Sequence, residues 1–392
     1  MNSGIPSTRR RAHVFVALAA ATIGTAWAAE PEEQAQRMHD RIAGVPPSPE
    51  VLTEMTTLIQ NGNPRRAALV ATNDRHFYTV TLKNLAAPWT NRDQSPFVPL
   101  NDYIALVIGL VKDDYPFDQI LYEDVLYVGV GVSPPPSATS NAHYEALERR
   151  MLDPTFDPET GLQRTTQSSV YPLPPNATAG AMTTRAAAEA FFIAGTNRAM
   201  LRFTLLNHLC VDMEQLHDTS IVPDRIRQDV SRSPGGDSRV FNNNCIGCHA
   251  GMDPLAQAFA YYNFDQDAGS IEYTSGVVQP KYFNNADTFA DGFVTPDDSW
   301  DNYWREGRNA LLGWSPFLPG SGQGAKSLGR ELAASDAFAQ CQVKKVFETV
   351  CLRPPANGND HQQIVTMAES FKSSNYDLRG VFADAAVYCI AD

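Results

Sequence analysis

The chain has 392 residues, a formal net charge of −13, 43% hydrophobic residues and six cysteines. Its length allows two or three domains. The acidic balance argues against nucleic-acid binding, which needs lysine and arginine to neutralise phosphates, and is compatible with solubility or with a partner that presents a basic patch.

The first 28 residues have the pattern of a signal peptide. Positive charges at Arg9–Arg11 precede a short apolar run from Val14 to Thr25, and Ala26–Ala28 fits the small-x-small cleavage rule. The run is shorter than the roughly 20 apolar residues that a membrane-spanning helix needs. We therefore predict export to the periplasm, cleavage after Ala28 and no membrane span in the mature chain. A retained anchor is the alternative.

Residues 29–180 are predicted to form an N-terminal helical region with an irregular excursion at 133–180. Apolar periodicity and capping residues, among them Ser48 and Asn101, indicate helices in the first part of this region. Their predicted bounds are 33–42, 48–59, 101–111 and 118–128. Prolines and turn residues dominate the excursion, which we interpret as part of the same region.

The second half of the chain divides at residue 330. Residues 181–330 include a helical stretch over 184–210 that is interrupted near Gly195, and a segment over 266–326 that is rich in turn residues. Residues 331–392 are predicted to form a C-terminal three-helix module. Its helices are expected at 335–351, 359–373 and 377–389. The pattern predicts a mostly α, multi-helical fold with long irregular loops.

Cys245-Ile246-Gly247-Cys248-His249 is the motif that carries chemistry. Two thiols at this spacing can add to the vinyl groups of one haem, and the histidine that follows can ligate the iron. The motif therefore predicts one covalent haem c, with Cys245 and Cys248 as anchors and His249 as the metal ligand.

Two other interpretations of the same motif remain open. A zinc site would need a second pair of ligands nearby, and residues 250–340 contain neither histidine nor cysteine. A thioredoxin-type dithiol would need a strand before the motif, and Asn242–Asn244 is a poor strand sequence.

After the motif, Asp253 and Pro254 have the pattern of a helix start, and we predict a helix from there to about Tyr262. Leu255, Phe259 and Tyr262 would share one face of it. That face is either a wall of the haem pocket or ordinary core.

The sixth iron ligand cannot be read from the motif. Met252 lies only three residues beyond His249, too close to reach the opposite face of the ring. Met213 and His217 are spaced to share a helix face, and an iron without a sixth protein ligand is also possible. The candidates are Met200, His208, Met213, His217, His361 and Met367.

The four cysteines outside the motif are expected to form two disulfides in an oxidising compartment. Cys341 and Cys351 would lie roughly 15 Å apart in one helix, too far to bridge. Cys210 would then pair with one of them and Cys389 with the other. Free buried thiols are the alternative.

Residues 245–265, CIGCHAGMDPLAQAFAYYNFD, resemble the haem segment of planctomycete-type cytochrome c-like domain proteins. In that family the Cys-x-x-Cys-His is followed by Met-Asp-Pro-Leu-Gly and an aromatic-rich helix. Residues 181–210, which include Thr196–Arg198, and residues 332–388 are similar to the flanking modules. Ala256 stands where the family usually has glycine. The resemblance implies a cytochrome c-like haem domain toward the C-terminal half, haem binding and electron transfer, but no sixth ligand.

Three functions follow from these observations. The first is an electron carrier that exchanges electrons with a periplasmic redox partner protein. The second is a haem enzyme, of peroxidase or oxidase type, with five-coordinate iron. The third is an assembly subunit in which the haem mainly holds the fold together, because the first 150 or so residues after the signal peptide carry no evident chemistry.

Overall fold

The computed structural model of the chain describes residue 1 and residues 30–193, 195–283 and 286–390. The predicted signal peptide lies outside the described residues. Within these ranges the chain forms fifteen α-helices and three two-stranded antiparallel ribbons, connected by long loops and short helical turns. The predicted fold class, mostly α with long irregular loops, is confirmed. None of the helices in these ranges combines the length and the apolar composition that crossing a bilayer requires.

The elements follow one another in this order. The α-helices are α1 (Pro31–Ala43), α2 (Pro49–Gln60), α3 (Pro64–Ala71), α4 (Lys83–Ala86), α5 (Asp102–Lys112), α6 (Ala142–Met151), α7 (Pro158–Gly161), α8 (Arg185–Phe191), α9 (Arg198–His208), α10 (Ser238–Val240), α11 (Ile246–Ala256), α12 (Gly324–Ala333), α13 (Asp336–Cys351), α14 (Gly358–Ser373) and α15 (Leu378–Cys389). The strands are β1 (Leu126–Gly129), β2 (Leu162–Thr165), β3 (Tyr262–Asp265), β4 (Ser270–Tyr273), β5 (Ser299–Asp301) and β6 (Ser321–Gln323). Two segments are π-helical, Phe77–Leu82 and Phe241–Cys245. The 3₁₀ segments are Ala87–Thr90, Phe117–Leu121, Gln167–Ser169, Gly180–Thr183, Pro234–Gly236, Gln257–Phe259, Pro280–Tyr282, Tyr303–Arg305 and Gly307–Leu312.

Capping residues set the helix starts that the sequence predicts. The Ser48 side chain accepts a hydrogen bond from the Val51 backbone N–H, at 3.3 Å, at the start of α2. Asn101 does the same for Ile104, at 3.0 Å, at the start of α5. These bonds satisfy backbone donors that have no partner inside the helix. The predicted helices over 33–42, 48–59 and 101–111 are confirmed, as are the three tail helices.

The predicted helix over 118–128 is wrong. The chain forms a 3₁₀ turn, Phe117–Leu121, and then strand β1, which pairs with β2 in antiparallel register. The run Val125–Val128 is made of β-branched, aromatic and aliphatic residues, which suit a half-buried strand. The excursion at 133–180 is also less irregular than predicted, because α6 lies within it and buries Tyr144 and Leu147.

One hydrophobic core extends from α1 to α15. Helices α1 and α3 pack against α15, so the two ends of the described chain lie together. Arg41 donates to the carbonyl oxygen of Cys389 at 2.7 Å, and Arg65 forms an ion pair with Asp384 at 2.6 Å. The domain boundaries predicted at residues 180 and 330 stay predictions. The hydrophobic core continues across both positions.

Two disulfides join Cys210 to Cys341 and Cys351 to Cys389, with Cα–Cα distances of 5.2 and 5.4 Å. The predicted constraint is confirmed: Cys341 and Cys351 both lie in α13 and each pairs with a different partner. The first bridge ties α13 to the second residue after α9, and the second ties α13 to α15.

Removing either bridge should lower the free energy of unfolding, because a cross-link restricts the unfolded chain. The bridges span 131 and 38 residues. We expect losses of about 5 kcal/mol for the C210A/C341A variant and about 4 kcal/mol for C351A/C389A. Urea unfolding of the two double variants measures both losses. Thiol titration of the unfolded, unreduced chain without cofactor should find two thiols, and six would contradict the pairing.

Candidate functional site

The motif helix, defined here as residues 238–256, carries the Cys-x-x-Cys-His sequence. It consists of α10, the π-helical segment Phe241–Cys245 and α11. Cys245, Cys248 and His249 have i, i+3, i+4 spacing, which places their side chains on one face. The helix packs against α9, β5 and the turn Tyr303–Arg305.

The helix start predicted at Asp253 is wrong. Helix α11 runs through Asp253 and Pro254 and ends at Ala256. Asp253 does not cap a helix because its carboxylate is already bound by other side chains. Beyond α11 the chain makes a 3₁₀ turn and enters β3, so Phe259 and Tyr262 are not on one helix. Both pack against Phe192, which places them in the main core.

The two thiols of the motif are outside both disulfides and partly exposed. Cys245 packs beside a small apolar cluster formed by Ile226, Val230 and Phe241. The Cys248 thiol donates to the carbonyl oxygen of Met213 at 3.4 Å. Burial raises the pKa of the Cys248 thiol, and neighbouring Cys245 adds to the shift. The thiol form of Cys248 is therefore favoured at neutral pH.

The imidazole of His249 has one bound nitrogen and one free nitrogen. Nδ1 lies 3.2 Å from each carboxylate oxygen of Asp253, one turn further along α11. A carboxylate accepts hydrogen bonds but cannot donate them, so Nδ1 carries the proton. Among the described residues Nε2 has no hydrogen-bond partner, and the His249 side chain is 20% exposed. The arrangement leaves the Nε2 lone pair available to a metal ion.

Asp253 is completely buried and is held by two arginines. Arg198 binds it through Nε at 2.7 Å and Nη2 at 3.2 Å, and Arg227 approaches to 3.6 Å. Burial alone would raise the pKa of Asp253. The charges of Arg198 and Arg227, together with the His249 hydrogen bond, outweigh burial and hold the pKa well below its usual range. Asp253 therefore stays ionised.

The arginines are fixed in turn by their own partners. Arg198 also pairs with Asp229 through both terminal nitrogens. Arg227 donates to the Thr196 hydroxyl at 2.5 Å and lies 4.9 Å from the centre of the Tyr282 ring. Two arginines and two carboxylates thus form a neutral group behind the imidazole, which lowers the electrostatic penalty of burying charge.

Two aromatic rings pack on the glycines of α11. The His217 ring lies over Gly247, where an added Cβ would be 2.6 Å from its Nε2. The indole of Trp304 lies directly on Gly251 and is fully buried. Only glycine leaves room for these rings. Gly247 and Gly251 therefore fix how closely the surrounding segments approach the motif helix.

Four of the six candidate sixth ligands lie in other surroundings. Both ring nitrogens of His208 are engaged, Nε2 with the Tyr103 hydroxyl at 2.6 Å and Nδ1 with Gln342. Burial lowers the pKa of His208 to about 3, so it is a neutral core residue. Met200 is buried and contacts the Thr204 hydroxyl through its sulfur. His361 and Met367 lie on α14, exposed and buried respectively.

Met213 and His217 are the two candidates that the structure brings to the motif. The Met213 carbonyl oxygen contacts Cys248, and the His217 ring covers Gly247. The helix face that they were predicted to share does not exist, because residues 211–220 form turns rather than a helix.

The structure can be compared with what the two alternatives to haem require, a thioredoxin-type dithiol and a zinc site. The strand that a thioredoxin-type dithiol requires is replaced by helix over residues 238–245. Across residues 30–193, 195–283 and 286–390, no group of three or more histidine, cysteine, aspartate or glutamate side chains is arranged to hold one metal ion. Cys245, Cys248 and His249 therefore do not converge as tetrahedral zinc ligands do.

The site also contains residues that sequence reasoning missed. Thr196, Asn197 and Arg198 act together: Thr196 binds Arg227, Asn197 binds the carbonyl oxygens of Phe259 and Tyr262 at 2.8 Å, and Arg198 binds Asp253. Asn197 has φ +57°, a left-handed conformation that asparagine tolerates. The turn stood out only through its resemblance to the family. The i, i+4 spacing of His249 and Asp253 is a pattern that predicts contact between their side chains. Interpreting Asp253 as a helix cap left that contact unpredicted.

Comparison with known protein families, with curated proteins and with solved structures finds no match for this chain. The likeness of residues 245–265 to a haem segment therefore depends on those residues alone.

Replacing Gly251 with alanine should destabilise the fold, because the new methyl group would overlap the buried Trp304 indole. We expect a loss of about 1–3 kcal/mol in the free energy of unfolding, measured by urea titration. Gly358 in α14 is the matched control, since a Cβ there meets nothing within 4 Å. G358A should be neutral or slightly stabilising. Equal effects of the two substitutions would contradict the packing argument.

Proposed function

We propose that this chain is a periplasmic monohaem c-type cytochrome that transfers electrons. Cys245 and Cys248 hold the haem covalently, and His249 ligates its iron. The observation that carries the proposal is the state of these three side chains: two thiols outside any disulfide, and an imidazole whose Nδ1 is bound while Nε2 is free.

The residues present fit a haem c. Both thiols and the imidazole lie on one face of the motif helix, as one macrocycle attached along its edge requires. Cys245 adjoins the apolar cluster of Ile226, Val230 and Phe241, which suits the apolar edge of a porphyrin. The remaining four cysteines are paired, so the thiols of the motif are the two available for thioether bonds.

A bound haem supplies a one-electron iron couple. The chain supplies the anchors, the axial ligand and its orientation. Cys245 and Cys248 prevent loss of the cofactor, and Asp253 keeps the Nδ1 proton of His249 in place. The arginines behind Asp253 hold that carboxylate still and ionised.

The predicted signal peptide, the disulfides and the acidic net charge support the location and the partner in this proposal. Two disulfides are typical of proteins outside the cytoplasm. The net charge of −13 favours a redox partner protein with a basic docking patch. Membership of the planctomycete-type cytochrome c-like proteins is part of the same proposal and is supported by residues 245–265.

A haem enzyme with five-coordinate iron is the second candidate. The observation that favours it is the hydrogen bond from His249 to an ionised carboxylate, which raises the basicity of the ligand. A strongly basic axial ligand suits peroxide or oxygen chemistry at an open iron position.

Covalent haem attachment is the first test of the proposal. The full chain, produced in a host that attaches haem c in its periplasm, should carry one haem that stays bound on a denaturing gel. The C245A/C248A variant should lose the covalent haem because both thioethers are absent. The C210A/C341A variant is the control and should retain it. A wild-type chain without covalent haem would contradict the proposal.

A reduced-minus-oxidised spectrum with and without carbon monoxide separates the two candidate functions. An electron carrier with six-coordinate iron should show a low-spin spectrum that carbon monoxide leaves unchanged. Carbon monoxide binding, together with peroxide turnover, would instead favour the enzyme. If the iron is six-coordinate, M213A and H217A test the two candidates near the motif, because a variant that lacks the sixth ligand binds carbon monoxide.

A further inference from the structure

We propose that Asp253 is a positioning residue that orients His249 and lowers the reduction potential of the haem. The inference rests on the proposed function, because it concerns the same axial ligand. It goes further in assigning Asp253 an effect on the potential, which limits the reductants and the acceptors that can serve as redox partners.

The geometry of the hydrogen bond fixes the ring. Nδ1 is equidistant from both oxygens of Asp253, at 3.2 Å, and the two residues are one helical turn apart in α11. Rotation of the imidazole would break this hydrogen bond to a buried carboxylate. The bond therefore selects the Nδ1–H tautomer and aims Nε2 away from the carboxylate.

The charge of Asp253 acts on the potential through its position. Among the described residues the Asp253 carboxylate contacts the imidazole directly, whereas Arg198 and Arg227 contact the carboxylate. A negative charge near the iron favours the oxidised state, which carries one more positive charge. The hydrogen bond acts in the same direction, because it increases electron donation by the ligand.

The electron balance of the site is simple. Reduction adds one electron, supplied by a reduced redox protein that is itself oxidised, and re-oxidation passes that electron to the acceptor. The ion pairs of Asp253 with Arg198 and Arg227 keep a negative charge beside His249, and the transfer itself involves only the electron.

The test is the midpoint potential of the holoprotein carrying D253N. Asparagine has nearly the same shape, and its amide oxygen can still accept from Nδ1, but its charge is absent. We expect the equilibrium constant for reduction to rise at least tenfold, which is a shift of about 59 mV for a one-electron couple. D253E keeps the charge and should leave the potential closer to that of the wild type.

Asp360 in α14 provides a matched control. It is also buried and paired with an arginine, Arg353, at 2.6 Å, but it lies in the tail helices. D360N should lose stability without changing the potential. An unchanged potential in haem-loaded D253N, or an equal shift in D360N, would overturn the inference and leave the proposed function intact. Absence of covalent haem in the wild type would overturn both.

A second measurement needs no variant and covers the case in which D253N fails to fold. Resonance Raman spectroscopy of the ferrous protein, after photodissociation of the sixth ligand or of added carbon monoxide, reports the iron–histidine stretch. A carboxylate-bonded histidine should give a higher frequency than a reference cytochrome c whose histidine bonds to a backbone carbonyl. The same frequency in both proteins would overturn the inference.

Discussion

The buried carboxylate of Asp253 is the constraint on which the surroundings of the motif depend. An ionised carboxylate inside a protein is tolerated only with partners that compensate its charge. Here the partners come from distant segments, Arg198 at the start of α9 and Arg227 in the loop that follows it. Any shift of α11 relative to these segments would leave a buried charge unpaired. The ion pairs of Asp253 and the rings packed on Gly247 and Gly251 together fix the position of the motif helix.

The same carboxylate links the fold to the chemistry of His249, the proposed iron ligand. Its oxygens accept from Arg198 and from His249, so one group both anchors α11 and sets the tautomer of the imidazole. Because Asp253 has both roles, a charged residue stands at a buried position of α11 where an apolar side chain would need no ion-pair partner. The electron-carrier and enzyme hypotheses therefore differ in what lies on the opposite face of the proposed haem, since a histidine bound to a carboxylate suits either.

Sequence reasoning succeeded where the signal was local. Helices α2 and α5 were predicted because Ser48 and Asn101 cap them, and the disulfide constraint followed from the length of one helix. It failed where a distant segment decided the outcome. The run Val125–Val128 became a strand because a partner strand lies more than thirty residues away. The sequence around Asp253 is typical of a helix cap, but the Asp253 side chain binds Arg198 instead. The core that joins α1 to α15 could not be predicted from local sequence patterns.

The rings packed on Gly247 and Gly251 have a consequence for how relatives of this chain can be found. Together with the thiols, His249 and Asp253 they define the spacing Cys-x-Gly-Cys-His-x-Gly-x-Asp over nine residues, and each fixed position has its own physical reason. Apolar core positions tolerate exchange as long as volume is kept. A homologue too divergent for ordinary alignment would therefore keep this pattern, accompanied by an arginine and a tryptophan elsewhere in its chain, as its recognisable signature.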